Sequence, residues 1–476
     1  MNTRHGTFKK RPGKASNDIK SAFAANRQAV VVIHGVGNQR PMDTLRPFVD
    51  AVLNVDPACD HDPKYYSTPE NLSGTFELRR LQSRSSRPRT DYFELYWQHL
   101  VPTATWQRIY AWLTLLLSRR PSDVPPSLHI LWKFSWGIAV AVIILLVMTI
   151  VAWLLPASWA PPTWLAKWSG LPLGLSVVLL LIQGLILNYV GDAAIYLSPE
   201  PRNIQARQAV REAGVSLIER LHQGEETGHT YDRIVIVGHS LGSVIGYDML
   251  TYAWPRFNES HERPERPTRE SLQEAEVAAK NLWKTASQAD DQGLLQAKQE
   301  WARTTRRLWL EQRINRFPWL VTDFITLGSP LAHSLMLLAR NKAEFNRKKV
   351  QRELPTAPPQ LEKGRSFSYP KGYKLDDGSQ RTTFALHHAA VFAVVRWTNL
   401  FFPARFILKG DLIGGAVGDA LGPGIIDVPV RTETRGGWLV HTCYWQPHKL
   451  DRDDSRSSIT RLVAALDIAR KTFRGM

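Results

Sequence analysis

Short apolar runs rich in β-branched residues recur along the chain, at residues 28–33, 233–237, 324–327 and 394–402. Runs of this length, bounded by glycine and polar residues, predict strands that are buried on both faces. Because the runs alternate with segments of helical periodicity, they predict an α/β fold with a mostly parallel sheet flanked by helices.

The segments between these runs carry helical or polar patterns. Residues 201–221 predict a crossover helix, and residues 459–466 predict a last helix packed on the sheet. The charged segment 256–318 is rich in Glu, Gln, Ala and Lys, which predicts a helical insertion, either a lid over the site or a surface addition. Residues 340–385 are polar with scattered Pro, and we expect a long surface loop there.

Two long uncharged apolar segments interrupt this pattern, at 134–155 and 171–190. A helix needs about 20 such residues to cross the hydrocarbon core of a bilayer. Pro and Trp in the linker are typical of a membrane interface, so we expect a transmembrane hairpin within residues 129–190. Because Arg and Lys flank the hairpin while the linker holds only Lys167, the soluble parts are expected in the cytoplasm.

Composition adds a net charge of +17, from 60 Lys and Arg against 43 Asp and Glu. Such a charge favours anionic partners, either lipid headgroups or nucleic acid. The sequence has no zinc-ligand spacing and no aromatic RNA-binding signature, so we expect no nucleic-acid partner, no metal and no cofactor. Two cysteines are too few for a disulfide framework.

The strongest chemical signal is the motif Gly238-His239-Ser240-Leu241-Gly242, which follows an apolar strand and precedes a helical segment. A serine on such a tight turn is presented as a nucleophile, and the flanking glycines avoid steric collisions there. The helix amino terminus favours negative charge beside the serine. His239 is expected to support the turn by packing or hydrogen bonding.

Three motifs resemble the lipase and esterase branch of the α/β-hydrolase superfamily: VVVIHGVGNQ at 30–39, IVIVGHSLGS at 234–243 and TLGSPL at 326–331. The resemblance implies an α/β-hydrolase fold with Ser240 as nucleophile. It also implies an oxyanion hole made by the amides of Val36 and Leu241, with His34 and Gly35 in the loop that carries Val36. Two fixed amides stabilise the negative charge of a tetrahedral intermediate.

A serine nucleophile needs a histidine base and an acid, which follow it in the order serine, acid, histidine in this fold. His441 comes after a short apolar run near the end of the chain and is the predicted base, with His448 in reserve. Asp411 lies on a glycine-rich loop after the strand at 394–402 and is the predicted acid, while Asp419 and Asp427 stay open as alternatives.

These features predict a membrane-anchored serine hydrolase that cleaves carboxylic esters of lipid or acylated substrates, with the bilayer and the ester as partners. Two alternatives stay open: a catalytically silent membrane scaffold of the same fold, and a lipase-like toxin or effector. The oligomeric state is not assigned. The expected organisation is a basic disordered tail (1–27), the first part of the hydrolase domain (28–128), the hairpin (129–190), the nucleophile segment (191–255), the helical insertion (256–318) and the segment with the acid and the histidine (319–476).

Overall fold

The fold was determined from a computed structural model. It describes residues 22–37, 39–55, 62–84, 88–102, 114, 117–125, 128–129, 132–133, 136–137, 140, 147, 192–198, 200–224, 228–260, 270–288, 290–374, 378–404, 410–431, 438–446 and 455–474.

The strands and helices of the described ranges are as follows. The strands are β1 (Arg27–Ile33), β2 (Tyr65–Pro69), β3 (Arg79–Ser83), β4 (Arg89–Leu95), β5 (Arg233–His239), β6 (Val321–Leu327), β7 (Ser368–Lys374), β8 (Gln380–Leu386), β9 (Arg396–Phe401) and β10 (Ile426–Pro429). The α-helices are α1 (Leu45–Val55), α2 (Ile204–Gln223), α3 (Leu241–Ser260), α4 (Glu270–Ala286), α5 (Asp291–Ile314), α6 (Ser334–Leu338), α7 (Lys342–Val350), α8 (Gly418–Leu421), α9 (Ser458–Leu466) and α10 (Lys471–Arg474).

A mixed sheet of eight strands lies at the centre, in the order β10-β9-β6-β5-β1-β4-β3-β2. The neighbouring strands from β10 to β4 pair in parallel, whereas β3 pairs antiparallel to both β4 and β2. Strands β7 and β8 form a separate antiparallel hairpin. The protein therefore has an α/β fold with a mostly parallel sheet, as the sequence predicted.

Helices cover both faces of the sheet, so its central strands are apolar on both sides. In β1, Val30 and Val32 pack with residues of α1 and α9, while Val31 and Ile33 pack with residues of α2 and α3. This alternation follows from the pleat of a strand, whose successive side chains point to opposite faces. It explains why the strand appears in the sequence as an uninterrupted apolar run.

A buried ionic cluster joins the amino ends of three neighbouring strands. Asp323, at the start of β6, accepts hydrogen bonds from Arg233 of β5 at 2.6 Å, Arg306 of α5 at 2.6 Å and Arg396 of β9 at 2.9 Å. Burial opposes ionisation of Asp323, but the charges of the three arginines outweigh it and hold its pKa well below the usual range. The guanidinium of Arg233 also donates to the carbonyl of Leu466, which attaches α9 to the sheet.

The strands and helices agree with most of the predicted elements. The four predicted strands appear as β1, β5, β6 and β9, and the helix predicted at 459–466 is α9, which Ser457 caps. The prediction of a long surface loop at 340–385 is wrong, because this segment contains α7, β7 and β8. The insertion contains the helical pair α4 and α5, which contact each other.

The predicted two-span membrane localisation needs correction. A span requires a long apolar helix, and within the described part of the chain no helix is long and apolar enough to cross a membrane. Most residues of the predicted spans 134–155 and 171–190 lie outside that part. The membrane hairpin is therefore not retained in the description of the fold.

Replacing Asp323 tests the ionic cluster. Asp323→Asn would leave three arginines with no buried counter-charge, so we expect the free energy of unfolding to fall by about 3–5 kcal/mol. Urea denaturation followed by circular dichroism measures it, with the exposed Asp291→Asn as a control that changes stability by less than about 1 kcal/mol. Equal stabilities of the two variants would contradict a structural role for the cluster.

Candidate active site

Ser240 occupies a strained turn between β5 and α3. Its φ of 51° lies in the left-handed region, which L-residues other than Asn and Asp rarely adopt. The turn is crowded: a Cβ at Gly242 would collide with the carbonyl oxygen of Ile33, and the amide of Ser240 donates to the carbonyl of Leu327 at 2.9 Å. The turn is thus held between β1 and β6, at the carboxyl ends of the parallel strands.

Asp411 and His441 form a hydrogen-bonded pair. Asp411 lies on the loop after β9, and His441 lies in the short 3-10 helix Trp438–Thr442 after β10. The Nδ1 atom of His441 is 2.8 Å from Oδ2 of Asp411. The other carboxylate oxygen accepts from the amides of Ile413 and Gly414, at 2.9 and 3.0 Å.

Tyr444 completes the environment of the carboxylate. Its buried hydroxyl donates to Oδ2 of Asp411 at 2.8 Å and accepts from the amide of Phe402 at 3.2 Å, which fixes the direction of the donation. Burial would raise the pKa of Asp411, but the hydrogen bond and charge of His441, the amide of Gly414 and the hydroxyl of Tyr444 lower the pKa to about 2. Asp411 is therefore ionised at neutral pH.

The ionised acid determines which nitrogen of His441 carries the proton. A carboxylate only accepts hydrogen bonds, so Nδ1 of His441 donates to Asp411, and in the neutral form of the ring the free lone pair lies on Nε2. This Nε2 is buried and has no hydrogen-bond partner among the described residues. An imidazole in this state accepts a proton at Nε2.

Several contacts bring the histidine to the serine turn. The Nε2 atom of His239, the residue before Ser240, is 2.8 Å from the backbone oxygen of His441, and the two rings lie 5.0 Å apart between centroids. Burial lowers the pKa of His239 to about 3, with a smaller contribution from His441, so the ring is neutral and donates this bond. A Cβ on Gly328, which follows Leu327, would lie 3.0 Å from Cε1 of His441.

The loop after β1 lies on the other side of the serine. A Cβ on Gly35 would stand 2.8 Å from Cβ of Ser240, so only glycine allows this approach. The ring of His34 stacks on Trp97 at 5.0 Å, and Nε1 of Trp97 donates to the carbonyl of His34. The amide of Val36, which follows Gly35, has no hydrogen-bond acceptor within the described ranges.

Two carboxylates hold the distal part of this loop. Asp192 lies 3.4 Å from the amide of Gly37 and 2.9 Å from the amide nitrogen of the Gln98 side chain. Glu94, on β4, accepts from the amide of Met42 at 2.7 Å, while its second oxygen is buried and has no partner in the described structure. Burial is the main cause that raises the pKa of Glu94 to about 7, and the charge of Asp43 adds to it.

The structure thus brings together the residues selected from the sequence. His441 is hydrogen-bonded to Asp411 and to His239, the residue before Ser240, and Gly35 packs against Ser240. Within the described residues, no hydrogen bond joins Ser240 to Nε2 of His441. The residues that flank these positions supply the turn and the loop: His34, Gly35, Val36, Gly238, Leu241 and Gly242. Their catalytic roles stay predictions.

The alternative residues lie in other environments. Asp427 accepts from Asn399 and from the amides of Val417 and Gly418, and Asp419 is exposed. The reserve base, His448, lies outside the described residues. Of the alternative acids, neither contacts His441, whereas Asp411 does.

Tyr444, Glu94 and Asp192 were missed by sequence reasoning. Tyr444 lies two residues after the short 3-10 helix that carries His441, and its closeness to His441 in sequence was the available signal. Glu94 lies in a strand that the sequence did not reveal. Across the described part of the chain, no group of three or more His, Cys, Asp or Glu side chains is placed to hold a metal ion.

Comparison with known proteins gives no relative: no family model, no curated protein and no solved structure matches this chain. The function of the chain must therefore be inferred from the geometry of its own residues.

Glu94→Gln tests the support of the loop through its pH dependence. With a pKa of about 7 in the folded protein against an ordinary value of 4.5, the protonated carboxyl stabilises the fold below pH 4.5. This stability is lost as the pH rises through 7, and it amounts to about 3 kcal/mol.

Urea denaturation at pH 5 and pH 8 measures the effect. We expect the wild type to lose about 2.5 kcal/mol more than Glu94→Gln between these pH values, because glutamine keeps the acceptor for Met42 and does not ionise. The other titrating groups change the free energy of unfolding equally in both proteins, so their contributions cancel in the comparison. The same loss in both proteins would show that Glu94 does not titrate in this range.

Proposed function

We propose that this chain is a serine hydrolase with the α/β-hydrolase fold, which cleaves carboxylic esters with Ser240, His441 and Asp411. The proposal is supported by the order of the sites along the sheet: the serine follows β5, the acid follows β9 and the histidine follows β10. This is the chain order of serine, acid and histidine that the fold requires. The expectation of a lipid substrate depended on the membrane spans together with the positive charge of the chain. Because the spans are not retained, we propose an ester without naming its acyl chain.

One observation supports the proposal most directly. Nδ1 of His441 donates to an ionised carboxylate whose two oxygens are both hydrogen-bonded. Nε2 of the same ring is buried and has no partner among the described residues, and the backbone of His441 bonds to His239 in the serine turn. A buried polar atom without a partner is costly in a protein interior. Such a cost is expected where the atom receives a proton during a reaction.

In the proposed first step, Nε2 of His441 takes the hydroxyl proton of Ser240 as the oxygen attacks the ester carbonyl carbon. The carbonyl oxygen becomes negatively charged and is stabilised by the amides of Val36 and Leu241. His441 then gives the proton to the leaving alcohol as the ester C–O bond breaks, and an acyl-serine is formed.

In the second step, His441 takes a proton from water, whose oxygen attacks the acyl carbon. The tetrahedral intermediate collapses, the proton returns to Ser240, and the carboxylic acid leaves. Asp411 stays ionised throughout and stabilises the charged imidazole. Each oxyanion donor contributes about 3–4 kcal/mol to such a step.

Labelling of Ser240 tests the nucleophile. A fluorophosphonate probe is expected to form a covalent bond with Ser240 in the wild type, and Ser240→Ala should abolish the labelling. The exposed Ser287→Ala serves as a control that keeps it. Gel fluorescence and mass spectrometry of the labelled peptide provide the measurement. Labelling retained in Ser240→Ala, with the fold intact by circular dichroism, excludes this serine as the nucleophile.

His239 is proposed as a positioning residue, because its Nε2 donates to the backbone of His441. His239→Phe removes the donor and should lower kcat/KM for p-nitrophenyl butyrate by tenfold to about a hundredfold, since small displacements of a catalytic group are costly. His239→Gln has an amide nitrogen that can replace Nε2 and should recover most of the rate. Equal rates for the two variants would refute the role of the hydrogen bond.

A further inference from the structure

A second feature of the site is a cavity of about 500 Å³ beside the loop of Asp411. Its wall is shared with the candidate active site, because Asp411 lines it and the adjoining Gly414 packs against Gly328. It lies beyond the carboxyl end of β9, where ligands of parallel sheets commonly bind. Apolar side chains form much of the remaining wall: Ala332, Leu335, Phe401, Pro403 and Ala416.

One face of α7 forms another part of the cavity wall. Lys342, Phe345, Asn346 and Lys349 all line it. Their spacing of three, four and seven positions places them on a single side of the helix. The two lysines are therefore directed to the same space, with a phenylalanine between them.

Lys349 is held in a defined position. Its Nζ atom donates to the backbone oxygen of Ala420 at 3.2 Å and lies 4.7 Å from the centre of the Phe345 ring. An ammonium over an aromatic face is attracted by the ring. Because one of its three protons is used by Ala420, the other two are available to a ligand.

The wall of the cavity carries two lysines and two aspartates, and among the described residues no lysine of the wall is paired with an aspartate. Burial lowers the pKa of Lys349, and the charge of Lys342 lowers it further, so the two cations repel one another. Two carboxylates share the wall: that of Asp411 is engaged by His441 and Tyr444, and that of Asp419 is exposed. Within the described ranges, neither lysine forms a salt bridge.

We infer that this cavity binds an anionic group, carboxylate or phosphate, of the ester substrate, with Lys349 and Lys342 as its ligands. The inference rests on the proposed hydrolase function and extends it to a substrate class: esters with a short apolar segment that ends in an anion. The apolar wall receives the segment, and the two ammonium groups receive the charge.

Paired substrates test the inference with the full-length protein. The first pair is mono-p-nitrophenyl adipate, which carries a free carboxylate, and its neutral methyl ester; the second is the p-nitrophenyl ester of phosphonohexanoic acid and its dimethyl ester. In the wild type, kcat/KM for the anionic substrate should be about ten times that for the neutral substrate in one of the two pairs. In Lys349→Met this ratio should fall about tenfold.

Two further variants test whether a change in this ratio comes specifically from the lysines of the cavity. Lys342→Met, at the exposed rim, should lower the ratio without risk to the fold, whereas Arg347→Met removes the same charge from the exposed face of α7, outside the cavity. The ratio should be unchanged in Arg347→Met. A wild-type ratio near one for both pairs, or an equal fall in all three variants, overturns the inference.

Equilibrium binding separates this inference from the proposed function. Adipate and phosphate are titrated separately into Ser240→Ala, with and without Lys349→Met, by isothermal calorimetry. Binding that Lys349→Met abolishes supports the anion site even if Ser240 is not labelled by the fluorophosphonate, in which case only the hydrolase proposal fails. Absence of binding by both anions refutes the site even where neutral esters are cleaved.

Discussion

The buried contact between Asp323 and three arginines underlies the arrangement of the rest of the sheet. Its members come from the amino ends of β5, β6 and β9 and from α5, so the cluster fixes how these strands start relative to one another. Strands that start together and run parallel also end together. The serine turn and the acid loop leave the opposite ends of β5 and β9, and the histidine loop follows β10, which lies outside the cluster and pairs in parallel with β9.

At the carboxyl ends of the strands, the positions of the site residues depend on close contacts between the loops. Ser240 has a left-handed backbone, Gly35 approaches it as only a glycine can, and His239 bonds to the backbone of the histidine loop. Each of these contacts joins segments far apart in sequence. The site is therefore a product of packing among three loops, and the hydrogen bond from His441 to Asp411 fixes the tautomer of the histidine.

Sequence reasoning reached the parts of the fold that carry strong local patterns. Strands β1, β5 and β6 are mostly apolar runs. Chain order, together with positions after a late strand and near the end of the chain, favoured Asp411 and His441, with Asp419 and Asp427 still open as acids. Strands β2 and β3 carry Arg, Gln and Ser and are only partly buried, so they lack a periodic signal. Tyr444 and Glu94 gain their importance from contacts across the fold, which no local pattern contains.

The prediction of membrane spans from the two apolar segments failed for a different reason: the sequence signal was strong, but the structure does not support it. Length and absence of charge predicted membrane spans, yet the described helices include none of that kind. Similarly, α7 is polar on most of its surface and was expected to be a loop, because its one cavity-facing side is too narrow to give a clear amphipathic pattern.

The attachment of α9 and the residues after it to the first strand has a kinetic consequence. The side chain of Gln28 donates to the carbonyl of Ile468, a contact between residues 440 positions apart, and Arg470 donates to the backbone oxygen of Arg27. Contacts of such long range raise the contact order, and the chain must lose much loop entropy before they form. We therefore expect slow folding, with the sheet gaining its full stability only after the two distant segments meet.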